Sequence, residues 1–463
     1  MKTFLSLIAL CVMLINPPTE NDKIKIPENT KLQATFSSKL DQSSSFHQAI
    51  LKNKDDGNFD FMNFKVDADG GVTSLSSFSF KDKAECISVH TAVDGTVVQT
   101  FYAKDKLKVI AFNQDNIIAQ NEIAVADKPL SIFKNNGSTI MLGYNRKTKE
   151  IDQTIIGASG GIEVNSIPID KKNEKKYKKM INGGLEVVDL EDYSKYGSIK
   201  ESQAYLINGN ILIVHQTDDD SKNIELITIT NDGKLSSSDL NIDVVDEVRN
   251  TNSFVRDGKL FHVSNSKEDM KVNIMDLKSR QRLKSVSLDQ DLRSLIKDSD
   301  RLDKLLKMAK RGSNAPTVTA NQLKNGNVEI SLSAVNKNTY QYYNYWWWHH
   351  HWMMQNQMML MQQQNMIRSM NGFGPSGSDE FIYTIKKDLE PIKFVIDKNL
   401  NLQQHDESQE TTFTYVDKQE VNEDLKKKKE VKKHSTAFLN SKVNFIHTDK
   451  KKEYIFLKTQ EVD

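Results

Sequence analysis

Three adjacent histidines, His349, His350 and His351, stand beside a run of methionines. Imidazole and thioether groups are the donors that suit copper or another soft metal. Neighbouring side chains on a regular element point in different directions, so only a loop can turn two of these rings to one ion. Elsewhere the chain has no HExxH, no zinc-type cysteine pair, no phosphate-cradling glycine loop and no dinucleotide fingerprint. Gly157-Ala158-Ser159-Gly160-Gly161 has the spacing of a nucleophile elbow, which requires a strand before it and a helix after it. Here Ile162, Glu163 and Val164 read as a second strand, so a hairpin turn is expected. Asp218, Asp219 and Asp220 lack the glycine and distal glutamate of a calcium loop. No residue is assigned a catalytic role.

The histidines belong to a segment of unusual composition. Residues 338–367 contain no Asp, Glu, Lys or Arg, in a chain that is 27% charged. All four tryptophans lie there, and seven of the fifteen methionines fall between Met353 and Met370. The aromatic block 340–348 reads as extended chain. Residues 352–370, rich in Met and Gln and free of Gly and Pro, read as helix, with Met354, Met358 and Met361 on one face. The candidate partner-binding residues are Tyr342, Tyr343, Tyr345, Trp346, Trp347, Trp348 and Trp352, together with those three methionines. Tyr and Trp bring large contact area at low entropic cost, and Met adapts to varied shapes. Three other readings stand beside partner contact. They are a low-complexity loop that self-associates, docking at a membrane surface through Trp and Tyr, and soft-metal binding by His349, His350 and His351. Seven Gln and Asn residues between Gln355 and Asn365 argue against deep insertion into a bilayer.

The first residues carry one lysine, an apolar run from Phe4 to Ile15, then Asn16, Pro17 and Pro18. That run is shorter than the ~20 residues a spanning helix needs, and it matches the core of a secretory signal over residues 1–18. Beyond it only Cys86 remains, so an exported chain would hold no internal disulfide and must rely on an ordinary core. A net charge of +1 argues against nucleic acid as the main ligand. The expected location is the exterior or the cell envelope.

What must position these residues is a repeat. Residues 130–144, 203–217, 252–266 and 320–334 each place a short apolar run before Asn-Gly or Asp-Gly and an alternating run after it. The glycines are Gly137, Gly209, Gly258 and Gly326, and such pairs supply the positive φ angles of a two-residue hairpin. A second hairpin pattern follows at 223–242, 271–288 and 380–396. Two successive hairpins make a four-stranded antiparallel sheet, and their repetition resembles a β-propeller blade series. The fold class expected is all-β, a six- or seven-bladed propeller over 25–463. The alternative is two β-sandwich domains divided near 171–179. Residues 31–36 and 60–66 are expected to complete the incomplete last blade at 441–459.

Two insertions are expected, an amphipathic helix over 289–311 and the Trp/His/Met/Gln-rich segment over 338–378. Both, with the lysine-rich stretch 170–180, fall on B–C or D–A connections, which emerge on the same side of a propeller. Loops on a rigid scaffold are where binding concentrates. The function expected is an exported, non-catalytic binding or scaffold protein whose partner is a protein or envelope component, with peripheral membrane contact as a further option. The alternatives are a glycan-acting hydrolase or lyase at the channel mouth and copper handling by the His/Met segment.

Overall fold

The computed structural model describes residues 23–216, 222–296, 299–311, 313–336, 341–344, 376–378, 381–384 and 390–462. These form seven sheets of four or five strands that succeed one another along the chain. The first four occupy 30–80, 85–124, 131–168 and 185–241. The fifth occupies 250–287, the sixth joins 314–336 to 392–404, and the seventh joins 432–461 to Lys23–Lys25.

Burial orders the strands within each sheet. Asn314–Gln322, the first strand of the sixth sheet, is buried at all but its last residue. Ile117–Ala124, the fourth strand of the second sheet, has no buried residue. First strands therefore face the axis and fourth strands face the rim. The first strands of the fifth and sixth sheets pack against each other, as do those of the seventh and first. This is a β-propeller. The hairpin turns follow the sequence pattern, with Asn208 at φ 50° and Gly209 at φ 78° between Ser202–Ile207 and Asn210–Gln216. A residue with a branched Cβ would strain such a turn.

The last sheet is completed from the N-terminus. Lys23–Lys25 pairs antiparallel with Tyr454–Phe456 as its fourth strand. Residues 31–36 and 60–66 instead belong to the first sheet, within Thr30–Lys39 and Phe59–Asp67. Their apolar alternation marks a strand, but alternation does not name a partner. A second correction concerns 380–396. Phe381–Thr384 pairs with Gln341–Asn344 in a separate ribbon, and Ile392–Ile396 forms the hairpin with Leu402–Gln404.

Apolar clusters lie between neighbouring sheets. Phe133, Ile140 and Leu142 of the third sheet pack with Ala204, Ile211 and Ile213 of the fourth. Helix α1, Glu174–Lys179, adds Tyr177 to that cluster and turns its lysines outward, where Lys176 meets Glu225 at 2.7 Å. The two-sandwich alternative fails here, since the supposed boundary at 171–179 sits on a shared core. The stripe expected over 289–311 divides into a helical turn at Leu288–Leu292 and helix α2, Ser299–Ala309. Leu292, Leu302 and Leu305 are fully buried against the fourth to sixth sheets.

Candidate binding face and the filled channel

The connections divide unequally between the two sides of the propeller. Among the described residues, the turns joining first to second and third to fourth strands are short, as at 136–137, 208–209, 257–258 and 397–401. The long excursions at 169–201, 288–313, 337–391 and 405–431 all leave from second-to-third or fourth-to-first connections. Those connections share one side. The cause is geometric, because the antiparallel order returns the chain to that side after every second strand.

The Trp/His/Met segment is the 337–391 excursion, between the second and third strands of the sixth sheet. Tyr342 and Tyr343 lie on its backbone ribbon, Gln341–Asn344 against Phe381–Thr384. Tyr345, Trp346, Trp347, Trp348, His349, His350, His351, Trp352, Met354, Met358 and Met361 lie outside the described residues. The returning leg of the excursion is placed, however. Ser376–Ser378 adds in parallel to Thr35–Ser37 at the inner edge of the first sheet. Residues 376–378 of the segment thus reach the axis.

A further stretch of chain occupies the channel itself. Leu185–Val188 pairs in parallel with Ser202–Tyr205, inside the first strand of the fourth sheet, and all four of its residues are buried. The chain then crosses at 189–196 and returns to residue 201 along the first strands of the fifth and sixth sheets. Buried Glu186 accepts a hydrogen bond from Ser198 Oγ, and the Ser198 carbonyl accepts from Asn252 Nδ2. Asn252 Oδ1 in turn accepts from Val318 N at 3.3 Å. At Gly197 a Cβ would stand 2.7 Å from the Val318 carbonyl oxygen and 3.3 Å from Thr317 Cβ. The signals available in sequence were Gly197 and three scattered serines, Ser194, Ser198 and Ser202, and neither distinguishes a channel plug from a surface loop.

The crossing at 189–196 carries a buried polar cluster. Glu329, almost fully buried in the second strand of the sixth sheet, accepts from Tyr193 Oη at 2.7 Å, His405 Nε2 at 2.9 Å and Lys393 Nζ at 3.2 Å. Lys393 also donates to Tyr193 Oη at 2.8 Å. Burial pushes the Glu329 pKa up, but the His405 hydrogen bond, the Lys393 charge and the Tyr193 hydroxyl outweigh it and hold the pKa at about 2. Burial and the Glu329 charge raise the Tyr193 pKa. Around this core Lys195 pairs with Glu390 at 2.9 Å and Lys418 with Asp192 at 2.6 Å, and Tyr193 meets the Tyr415 ring edge-on at 5.6 Å. These three donors join the plug, the third strand of the sixth sheet and residue 405 at Glu329. Among the described residues no group of three or more His, Cys, Asp or Glu is arranged to hold a metal.

Buried histidines hold other joints. His47 Nδ1 meets Ser37 Oγ at 2.7 Å and its Nε2 meets Ser45 Oγ at 2.8 Å. Ser45 Oγ donates to the Val66 carbonyl, so it accepts from Nε2–H, and Nδ1 is left to accept from Ser37. Ser37 reaches Ser435 of the seventh sheet at 2.8 Å. This arrangement calls for a neutral ring, and burial lowers the His47 pKa to about 3. His262 is equally enclosed, with neither ring nitrogen hydrogen-bonded to protein and a pKa of about 3. His215 hydrogen-bonds Ser202 Oγ at 2.8 Å. The expected turn at 157–161 is present, and Cys86 is buried beside Gln99.

No protein-family profile and no curated protein sequence matches the chain. Among solved structures it is similar to the WD40 domain of SCAP from fission yeast, at 12% identity and TM-score 0.31, over 95% of this chain and 84% of that one. It is similar to the Dos1 propeller at 10% identity and TM-score 0.34, covering 94% of each. A protein from Lactobacillus plantarum is similar at 10% identity and TM-score 0.32, over 91% of this chain and 96% of that one. The chain's own sheet order and burial make it a propeller.

Proposed function

We propose that this is an exported, non-catalytic binding or scaffold protein of the cell envelope or exterior, which holds a protein partner on the side bearing the 337–391 excursion. The single observation behind this reading is the unequal division of connections, with every long excursion leaving from one side of the propeller. A rigid ring that keeps one side trimmed to tight turns and elaborates the other is built to present the elaborated side. The uncharged aromatic and methionine composition of 338–367 supplies the contact chemistry. Export rests on the apolar run between Phe4 and Ile15. Among the described residues no helix is long and apolar enough to cross a membrane.

The test replaces 345–375 with a Gly/Ser linker and compares cell fractions of the two proteins. The replacement is expected to keep the β-type circular dichroism and a single unfolding transition, and to move from the envelope fraction to the soluble one. If both proteins fold and fractionate alike, the segment is no docking device.

A further inference from the structure

We infer that the ring opens locally between its sixth and seventh sheets, with residues 189–196 and 405–427 as the latch that holds it shut. The observation behind this is the chemistry of the junctions. The seventh and first sheets share an apolar cluster around Leu51, Phe64, Ile446 and Ile455. The first and second share the Phe46, Phe61, Phe78 and Phe101 cluster, and the second and third share Val98, Val109, Met141 and Ile156. Apolar packing continues from the third sheet through to the sixth. Among the described residues, no such cluster joins the sixth sheet to the seventh.

Inserted chain fills that gap instead. Residues 410–414 strap the two sheets together: the Glu410 carbonyl accepts from Lys324 N at 2.9 Å, Thr412 N donates to the Gln322 carbonyl at 2.8 Å, and Thr414 N donates to Asn440 Oδ1 at 2.7 Å. Helix α3, Lys418–Lys427, buries Leu425 in a cluster with Phe438 and Val443 of the seventh sheet and also meets the Phe381–Thr384 ribbon strand. The side of the sixth sheet that faces the gap presents Glu329 and Lys393, which are bound by Tyr193 of the channel plug and by His405. Polar groups regain hydrogen bonds from water when they part, so their net hold is small. Apolar faces expose hydrocarbon when they part, and that cost grows with area. Opening is therefore least costly at this junction. Lys195 in the plug pairs with Glu390, the first described residue after the 337–391 excursion leaves its ribbon. Parting the latch thus frees the plug tip and the base of the excursion together, as one cooperative unit.

Hydrogen exchange followed by mass spectrometry on the full chain tests this at neutral pH. Peptides covering 189–196 and 405–427 are expected to exchange at a common rate, faster than the hydrogen-bonded strands Asn250–Arg256 and Asn314–Gln322. Glu329→Gln is expected to accelerate the latch peptides about tenfold, the loss of one charged hydrogen-bond set, and to leave the first five sheets unchanged. Tyr193→Phe keeps the ring and removes only the hydroxyl, so it gives a smaller acceleration at the same peptides and serves if the first variant does not fold. Latch peptides as protected as Asn314–Gln322, or a variant that speeds every sheet alike, would overturn the proposal.

Discussion

Replacing Gly197 with alanine is expected to cost about 2 kcal/mol of stability, within the range for forcing extra carbon into a packed site. The added Cβ would sit 2.7 Å from the Val318 carbonyl oxygen, and backbone at that position cannot swing aside as a side-chain end would. Gly197 lies in the returning limb of the channel plug, one residue before Ser198, whose carbonyl receives Asn252 and whose hydroxyl donates to Glu186. A displaced limb would therefore also leave the fully buried Glu186 carboxylate short of a donor, which adds to the cost. Gly197→Val should be worse, at roughly 3 kcal/mol, because the branch meets Thr317 as well. Urea unfolding measures both changes. Trypsin supplies an independent readout, since Lys195 and Lys200 flank the site and should be cut faster in the variants. An unchanged midpoint together with unchanged cleavage would mean that 185–201 is not seated in the channel.

Mild acid is expected to weaken the protein by about 4 kcal/mol between pH 7.5 and pH 5 through two imidazoles alone. His47 and His262 are both fully buried with pKa values lowered from 6.5 to about 3, by burial in each case. The unfolded chain takes up protons at these rings as pH falls through 6.5, while the folded protein does so only near 3. Stability is thus fully present above 6.5 and is lost progressively as pH falls toward 3. At pH 5 the gap is about 1.5 pH units below the unfolded value, worth about 2 kcal/mol for each ring. His90, His434 and His447, each lowered to about 4, act in the same direction. The Glu329 carboxylate, held at about 2, adds its share only below pH 4.5. Denaturant midpoints at pH 7.5 and pH 5 measure the loss. His262→Leu should remove roughly half of the two-ring effect, since its ring nitrogens make no protein hydrogen bond that the substitution would forfeit. A midpoint that does not move with pH would show the rings to be solvated in the native protein.

Much of the fold was legible because hairpins are local. An Asn-Gly turn such as Asn208-Gly209 and the alternation on either side of it are set by a few neighbouring residues, and four of the sheets could be located from that pattern. The closing strand was misread because its partner lies far away in sequence. Lys23–Lys25 carries little signal of its own, and it becomes a strand only when Tyr454–Phe456 offers it an edge. Residues 380–396 failed for a related reason. Two apolar runs sat side by side, and the longer register from Val328 to Leu332 selected Ile392–Ile396 rather than Phe381–Thr384. The polar joint was beyond reach too. Tyr193, Glu329, Lys393 and His405 look like four unrelated surface residues until the ring folds.

By itself, then, the amino-acid order determined the unit of construction, the turns and the side from which the large excursions depart, since all of these follow from backbone preference and from strands that alternate in direction. The tertiary structure decided what fills the channel, how the ends meet and which junction is polar. Those outcomes depend on edges and cavities that exist only after the sheets have assembled, and a short or charged segment takes its place there because a vacant edge or an unmet carboxylate would otherwise remain buried without a partner.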